Sequence, residues 1–495
     1  MLLRSKFIYI QKWGLKMSYE KLELLIDGNW RQGSSSKTEP VINPANNETL
    51  GQLPHATSND LDEALESNAR AFKVWKKVTP LERQKIIEKA CRILESRSDV
   101  VAENLTKEMG KPLPEAKIEL ALGLDVLRWY GEEGKRAYGR IVPSRTPGIT
   151  QLVVKEPIGP VIAFVAWNFP VMNVVRKVGG AIAAGCTITI KPSEETPGTA
   201  IAIGRALIDA GLPPGVLNIV FGVPSEVSEH LCQSSIPRKL SFTGSIPVGK
   251  HLQKLAAENM IRCTMELGGH SPLMVFEDTN ISAAAKLSVM SKFRNAGQVC
   301  ISPTRFLVQE SVKEQFVEAV LTETNKITVG NGLEEGINMG PLVAERRIEI
   351  IDSFVSDAMK TGAELHTGGH RLNRDGSFYA PTVLSNVSDE AKIMNEEPFG
   401  PILPIDSFNS VDEVIARANR LDFGLAAYAL TNNSKIVNTL KSDIESGLLA
   451  INSGVVSTPE TPFGGIKHSG YGSEGGVEGL DAFLVTRFIS ETYNI

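Results

Sequence analysis

Residues 161–191 read VIAFVAWNFPVMNVVRKVGGAIAAGCTITIK. Two short apolar runs rich in β-branched residues, VIAFVAW and TITIK, flank a helical run, VVRKVGGAIAAG. The alternation continues through TAIAIGRALIDAG (199–211), VLNIVFG (216–222) and KLSFTG (239–244). Short β runs alternating with helical runs predict a parallel sheet with helices on both faces, which binds ligands at the carboxyl ends of its strands. Asn168, Lys191, Gly222 and Ser245 all fall just past such ends, so their shared position predicts one site. The GxGxxG dinucleotide fingerprint is missing from these turns. Gly244, Gly249 and Lys250 match the opening of a phosphate loop, but His251 stands where a Ser or Thr would hold magnesium. The same glycines can still bring a helix amino terminus near a dinucleotide phosphate.

A second stretch, FRNAGQVCISP at 293–303, follows the helix-compatible run ISAAAKLSVMSKF. Gly297 and Pro303 end that helix around Cys300 and present its thiol. The alternative is a small core residue, the usual fate of an intracellular cysteine. Glu266 in ELGGHSP and Asn168 in AFVAWNFP add a carboxylate and a side-chain amide that can be drawn into the same site. Taken singly, each has a plain structural reading, a strand-end cap for Glu266 and a turn amide for Asn168.

At 495 residues the chain is long enough for two or three domains and a large core. A net charge of −5 with both signs interspersed gives no basic field for nucleic acid. The five cysteines, Cys91, Cys186, Cys232, Cys263 and Cys300, have no CxxC spacing, which argues against a disulfide framework or zinc site and for a reducing compartment, the cytoplasm. No apolar run approaches a membrane span. The basic opening segment 1–16 has no cleavage pattern, and Met17 begins MSYEKLELLIDGNW, which reads as an upstream start or loose tail rather than a transit peptide.

Elsewhere, Leu61, Leu65, Phe72 and Trp75 recur at helical spacing, as do Ile87, Ala90, Cys91 and Leu94, and Val101 with Leu105. TQLVVKEP (150–157) reads as a strand set apart, suited to joining subunits. After Glu266 a second α/β series follows, with strands PLMVF and RFLVQ and helices at 312–321 and 346–360. His366 and His370 in HTGGH read as a turn, because two glycines separate them and no third ligand is near. GLDAFLVTRFISE (479–491) has strand character.

AWNFP, KPSEETP, FTGS, MELGG, NAGQVC and EEPFGP occur in this order across nearly the whole chain. In them the sequence resembles the aldehyde dehydrogenase superfamily, and within it the NAD-dependent succinate-semialdehyde dehydrogenases. The resemblance implies an α/β fold with a Rossmann-type NAD-binding domain (18–137 and 157–265), a second α/β catalytic domain (266–470) and a small β oligomerisation arm (138–156 and 471–495), the GLDAFLVTRFISE strand pairing with TQLVVKEP. It implies a homodimer or homotetramer. Cys300 is expected as nucleophile, Asn168 with the Cys300 backbone N–H as oxyanion donors, Glu266 as the water-activating base, and Lys177 with Glu474 as a proton relay.

Trp167, Lys191, Glu194, Gly222, Gly244, Ser245, Glu397 and Phe399 match the family's cofactor contacts. A carboxylate at Glu194 accepts from ribose hydroxyls and repels a 2′-phosphate, which favours NAD over NADP. Arg176, Arg294 and Ser457 match positions where succinate-semialdehyde dehydrogenases meet the substrate's far carboxylate, and two guanidiniums suit such an anion. Glutarate and 2-oxoglutarate semialdehydes are close rivals, then uncharged aldehydes. The chain departs from the family in Ala166, where proline is frequent, and in Ser302, where some members carry a redox-switch cysteine, so no such disulfide is expected. Rivals from other classes are a non-catalytic binding protein on the same fold and a nucleotide hydrolase built on Gly249 and Lys250.

Overall fold

The computed structural model describes residues 19–493; the basic segment 1–16 and Met17 lie outside the described residues. Among these, the alternating stretch forms the parallel centre of an eight-stranded sheet. Its spatial order runs Leu217–Ile219, Ile188–Lys191, Val161–Phe164, Lys239–Thr243 and Arg262–Glu266, all parallel. The chain starts in the middle, builds outward to one side, then crosses back and builds to the other. The reversal lies between Val161–Phe164 and Lys239–Thr243, where helices diverge to opposite faces and leave a crevice at the strands' carboxyl ends. Leu24–Ile26 with Asn29–Arg31 closes one edge antiparallel, and Gly470–Tyr471 closes the other against Arg262–Glu266.

The strand expected over 161–167 ends at Phe164. Val165 still donates to the Lys191 carbonyl at 3.3 Å, but the backbone then turns out of the sheet to form the loop that carries Asn168. Helix Pro170–Ala184 takes over directly, with proline at its start, where no amide N–H is needed, and Gly185 in left-handed backbone at its end. Its face is buried almost throughout, consistent with the apolar run that predicted it.

The expected helices over 58–109 form as Ser58–Trp75, Pro80–Ser96 and Ser98–Met109. The first two open on reciprocal caps, Thr57 with Asp60 and Thr79 with Glu82. Ser58–Trp75 packs on strands of the first sheet and on helix Pro224–Gln233, while Pro80–Ser96 and Ser98–Met109 pack on Leu113–Glu133 and on helix Pro197–Ala210. Cys91 belongs to that core.

The second α/β series forms a seven-stranded sheet in the order Glu364–Thr367, Thr382–Ser385, Ile402–Phe408, Pro303–Gln309, Ser271–Val275, Ala426–Leu430 and Leu448–Ile451. All neighbours are parallel except the first pair. It has its own apolar core, separate from that of the first sheet. Helices Lys313–Thr324 and Arg346–Lys360 correspond to the two expected.

TQLVVKEP lies within strand Ile149–Pro157, which pairs over its whole length with Leu484–Thr492, and Arg140–Val142 completes a three-stranded antiparallel ribbon. The strand reading of 479–491 holds only in its second part. Gly476–Asp481 is helical, because Gly475 and Gly476 turn the chain through left-handed backbone and the helix then buries Leu480 in the first core. No helix of the described residues is long and apolar enough to cross a membrane.

Trp75 is fully buried, and its indole N–H donates to the Ile182 carbonyl at 3.3 Å. It therefore ties the outer helices to helix Pro170–Ala184. Trp75→Ala is expected to destabilise the first core by about 3–5 kcal/mol, read as a lowered denaturant midpoint in tryptophan-independent far-UV circular dichroism.

Candidate functional site

Helix Ile281–Phe293 delivers the chain to Arg294, and the next three residues adopt left-handed backbone, with φ of 50° at Asn295, 53° at Ala296 and 73° at Gly297. Such a run is costly for non-glycine residues and persists only where surrounding contacts impose it. Glu115 accepts from Asn295 N–H at 3.0 Å. The Asn295 amide donates to the carbonyls of Asn168 at 3.0 Å and Gln298 at 3.2 Å. Gln298 donates to the Asn295 carbonyl at 3.1 Å and accepts from Val343 N–H at 2.9 Å. At Gly297 an added Cβ would lie 2.1 Å from the Gly400 carbonyl oxygen, so only glycine fits. The outcome is a half-buried Cys300 just beyond the bend.

Asn168 meets this loop from the first sheet. Its side-chain NH₂ donates to the Gln298 carbonyl at 3.2 Å, and its oxygen accepts from Asn173 at 3.3 Å. One amide hydrogen remains for a ligand. Glu266 ends the outermost parallel strand, and both its carboxylate oxygens are buried without a hydrogen-bond partner. Burial, then the nearby charge of Glu474, pushes its pKa well above the usual carboxylate range, while Lys177 and Arg176 oppose the shift. Burial, then the charge of Glu397, pushes the Cys300 thiol up to about 12; Glu266 acts in the same sense, and Arg176 and Arg294 pull it back. In this state the sulfur is a neutral thiol that needs a proton acceptor, and Glu266, once it has given up its own proton, is a stronger base than an ordinary carboxylate.

Lys177 is fully buried, and its ammonium contacts Glu474 at 2.5 Å and the Thr243 hydroxyl at 2.6 Å. Arg176 donates to the Ser457 hydroxyl at 2.7 Å and stacks 4.1 Å from the Phe463 ring centre, with its Nε buried and unpartnered. Arg294 is exposed and stands 5.9 Å from the Phe169 ring centre. Arg176 and Ser457 are thus in contact, while Arg294 stands apart beside Phe169.

At the crevice, Lys191 ends its strand and pairs with Glu194 at 2.7 Å. The four crossover helices that start there differ at their first turns. Glu119 accepts from Val171 N–H at 2.8 Å, and Glu108 accepts from Gly198 and Thr199 N–H at 2.9 Å each, so carboxylates of the chain fill the first two. The helices Pro224–Gln233 and Ile246–Glu258, next to Gly222 and Ser245, begin with no side-chain cap. Of the two, Ile246–Glu258 starts at the sheet's reversal point, where its open N–H groups and dipole suit a dinucleotide pyrophosphate.

Trp167 and Phe399 meet edge to face at 5.5 Å, and Phe399 holds a left-handed φ of 47° under two hydrogen bonds from Arg347 to the carbonyls of Pro398 and Phe399. Glu397 accepts from Gly269 N–H at 3.2 Å. Burial pushes its pKa up to about 7, against the Gly269 bond and the charges of Arg347 and Lys292. A Cβ at Gly268 would lie 2.4 Å from the Glu397 carboxylate, so this glycine makes its room.

The phosphate-loop match is the start of a helix, and the expected turn at 366–370 begins instead as strand, since His366 lies in Glu364–Thr367. Helix Ile246–Glu258 starts two residues after its strand, leaving no loop to wrap a phosphate, and Lys250 points to His468 at 3.3 Å. His366 bonds the Ser385 hydroxyl and His370 the Gly368 carbonyl, and no metal-binding group of three is found among the described residues. Ser302 bonds the Pro303 carbonyl. Sequence reasoning missed Glu115, Asn295, Gln298, Arg347 and Gly268. Two amides bracketing a glycine beside the thiol were a readable signal for Asn295 and Gln298; Glu115 and Arg347 had none.

The model of the aldehyde dehydrogenase family matches residues 30–489. A 4-(hydroxymethyl)benzenesulfonate dehydrogenase of Comamonas testosteroni is 43% identical over 95% of this chain and 98% of its own length. The mitochondrial succinate-semialdehyde dehydrogenase of Oryza sativa subsp. japonica is 40% identical over 94% and 88%. The crystal structure of succinate-semialdehyde dehydrogenase from Burkholderia pseudomallei superposes with a TM-score of 0.94 at 38% identity, covering 96% of this chain and 98% of that one.

A carboxyl whose pKa rises on folding binds its proton more tightly in the folded state, so stability falls as pH climbs from the ordinary carboxylate range through the raised value. Glu266→Gln is therefore expected to raise the melting temperature at neutral pH, with the gain vanishing near pH 4, about the value of a free carboxyl. The same substitution should lower aldehyde turnover by about 100-fold or more and remove the acidic limb of the pH–rate profile.

Proposed function

This chain belongs to the aldehyde dehydrogenase family, and we propose that it oxidises a small aldehyde bearing a distant anionic group, succinate semialdehyde above all, to the corresponding acid with NAD. The observation that carries the reading is the convergence of Cys300, Asn168 and Glu266 at the mouth of the sheet crevice. Sulfur adds to the aldehyde carbon as its proton passes to a base. The resulting oxyanion takes hydrogen bonds from the free Asn168 N–H and from Cys300 N–H, donors worth on the order of 100-fold in rate. A bound nicotinamide supplies the acceptor for the hydride. Loss of hydride leaves a thioester on Cys300. Glu266, desolvated and hence a strong base for a carboxylate, removes a proton from water as the water attacks the thioester carbon, and the acid leaves with the thiol restored.

Lys177 and Glu474 supply the route by which that proton departs. Their charges shift the Glu266 pKa in opposite senses, so a proton moving along the pair retunes Glu266. For the cofactor, Lys191 and Glu194 suit the adenine ribose, Gly222, Gly244 and Ser245 the pyrophosphate, and Glu397, Phe399 and Trp167 the nicotinamide ribose and ring. The Glu194 carboxylate disfavours a 2′-phosphate, which supports NAD over NADP.

For the substrate's far end, Arg176 with Ser457, and Arg294, supply cationic donors. The names of the similar proteins favour two anions. The succinate-semialdehyde dehydrogenases support a carboxylate, and the benzenesulfonate relative supports a second reading in which the anion is a sulfonate. The proposed domain limits are 18–137 with 157–265 for the cofactor and 266–470 for catalysis, although Leu267 and Leu480 pack in the first core. The arm of 138–156 and 471–495, whose ribbon is Arg140–Val142, Ile149–Pro157 and Leu484–Thr492, is proposed to join subunits of a homodimer or homotetramer. Ile141 is 77% and Phe488 59% exposed on it, an apolar surface that a lone chain leaves in water.

Cys300→Ala is expected to abolish NAD reduction. Arg294→Ala should raise KM for succinate semialdehyde by about tenfold, the loss of one charge-assisted contact, while leaving KM for an uncharged aldehyde such as propanal unchanged. An equal change for both aldehydes would rule out the anion contact, and a kinetic panel including a sulfonated aldehyde separates the two readings. Phe488→Asp should shift light-scattering mass toward the single chain.

A further inference from the structure

Lys111 and Glu119 form a buried ion pair at the start of helix Leu113–Glu133, with relative exposures of 2% and 3%. Outside the pair itself, every side-chain hydrogen bond they make ends on the segment that carries Asn168. Beside Glu119, the Lys111 ammonium donates to the Asn168 carbonyl at 3.1 Å and lies 4.0 Å from the centre of the Phe169 ring. Its three N–H groups thus have three destinations. Glu119 turns its other oxygen to Val171 N–H at 2.8 Å and Met172 N–H at 3.3 Å, holding the first turn of helix Pro170–Ala184.

The Asn168 carbonyl also takes the Asn295 amide at 3.0 Å, so its two lone pairs are filled, one from each side of the crevice. Two donors on one carbonyl fix the plane of the 168–169 peptide. The peptide plane in turn fixes the direction in which the Asn168 side chain leaves the backbone. An oxyanion donor is effective only when already aimed before the charge develops.

We propose that Lys111 and Glu119 are positioning residues for the Asn168 amide, setting how well it meets the oxyanion without touching substrate. This rests on the assignment of Asn168 as an oxyanion donor. A buried ion pair is a poor source of net stability, since similar apolar or neutral groups usually serve as well. Retaining one here is accounted for by what it aims.

The test compares Lys111→Met/Glu119→Gln with the unaltered chain, in both the Asn168 and the Asn168→Ala backgrounds. The double substitution removes both charges together, which avoids leaving one buried and unpaired, and glutamine keeps an acceptor for Val171 N–H. The expected result is a fall in kcat of about tenfold, the scale of a misaimed group. KM for NAD should be unchanged, and the deuterium isotope effect with C1-deuterated aldehyde should rise. In the Asn168→Ala background the double substitution should cost nothing further, because residues acting through one amide are non-additive.

Unchanged kcat in the Asn168 background, or the same fold-loss in both backgrounds, overturns the proposal while leaving the oxyanion assignment standing. Full turnover by Asn168→Ala alone overturns that assignment and the proposal with it. Should the double variant fail to fold, Lys111→Arg keeps the charge pairing while moving the donor off the Asn168 carbonyl. It should show a smaller kcat loss with the same dependence on Asn168, and undiminished kcat in it counts against the proposal.

Discussion

Three consecutive residues in left-handed backbone, Asn295 to Gly297, are the constraint on which the site depends. Asn295 and Gln298 bond each other across the bend, and the rest of its cost is met from distant segments: Glu115 from the first domain's helices, the Asn168 carbonyl from the loop after a strand of the first sheet, and Val343, through Gln298, from a loop of the second unit. The thiol can therefore stand out from the end of a helix only when both α/β units are folded and in contact. The strain is also useful, because a bend imposed by many distant bonds has one arrangement rather than several.

The alternation of β and helical runs made the parallel sheet legible, because a strand buried on both faces is apolar throughout and a crossover helix is not. From it came the strand ends, and hence Asn168, Lys191, Gly222 and Ser245 as neighbours. Cys300 was legible from its setting between Gly297 and Pro303. What sequence reasoning could not reach were contacts between segments far apart in the chain. Glu115 is 180 positions from Asn295, and its role follows from the packing of two domains, which no periodicity records. Strand ends were misjudged for a similar reason: Val165 and Trp167 have strand-like side chains, but the sheet needs the chain to leave early so that Asn168 reaches the thiol. The end of the chain was read as strand throughout because Leu480 and Phe483 are apolar; their burial against the first core, in and just after a short helix, satisfies the same pattern.

The electrostatics of the site run against the ordinary preference for stability. Glu266, with no hydrogen-bond partner, and Glu397, pushed up to about 7, are both carboxyls held where water would be better for them. Each opposes ionisation of the thiol. Arg176 and Lys177 offset part of this at Glu266, and Arg347 and Lys292 at Glu397. A fold optimised only for stability would replace the two carboxyls with neutral groups.

The edge strand Gly470–Tyr471 hydrogen-bonds beside Glu266, and Glu474 follows it to reach Lys177. Glu474 stands 297 positions from Lys177 in the chain, so the two meet only where this edge strand is docked on the first sheet. Loosening that one short strand would part the acid from its lysine while leaving the parallel strands, and the loop that carries the sulfur, where they are.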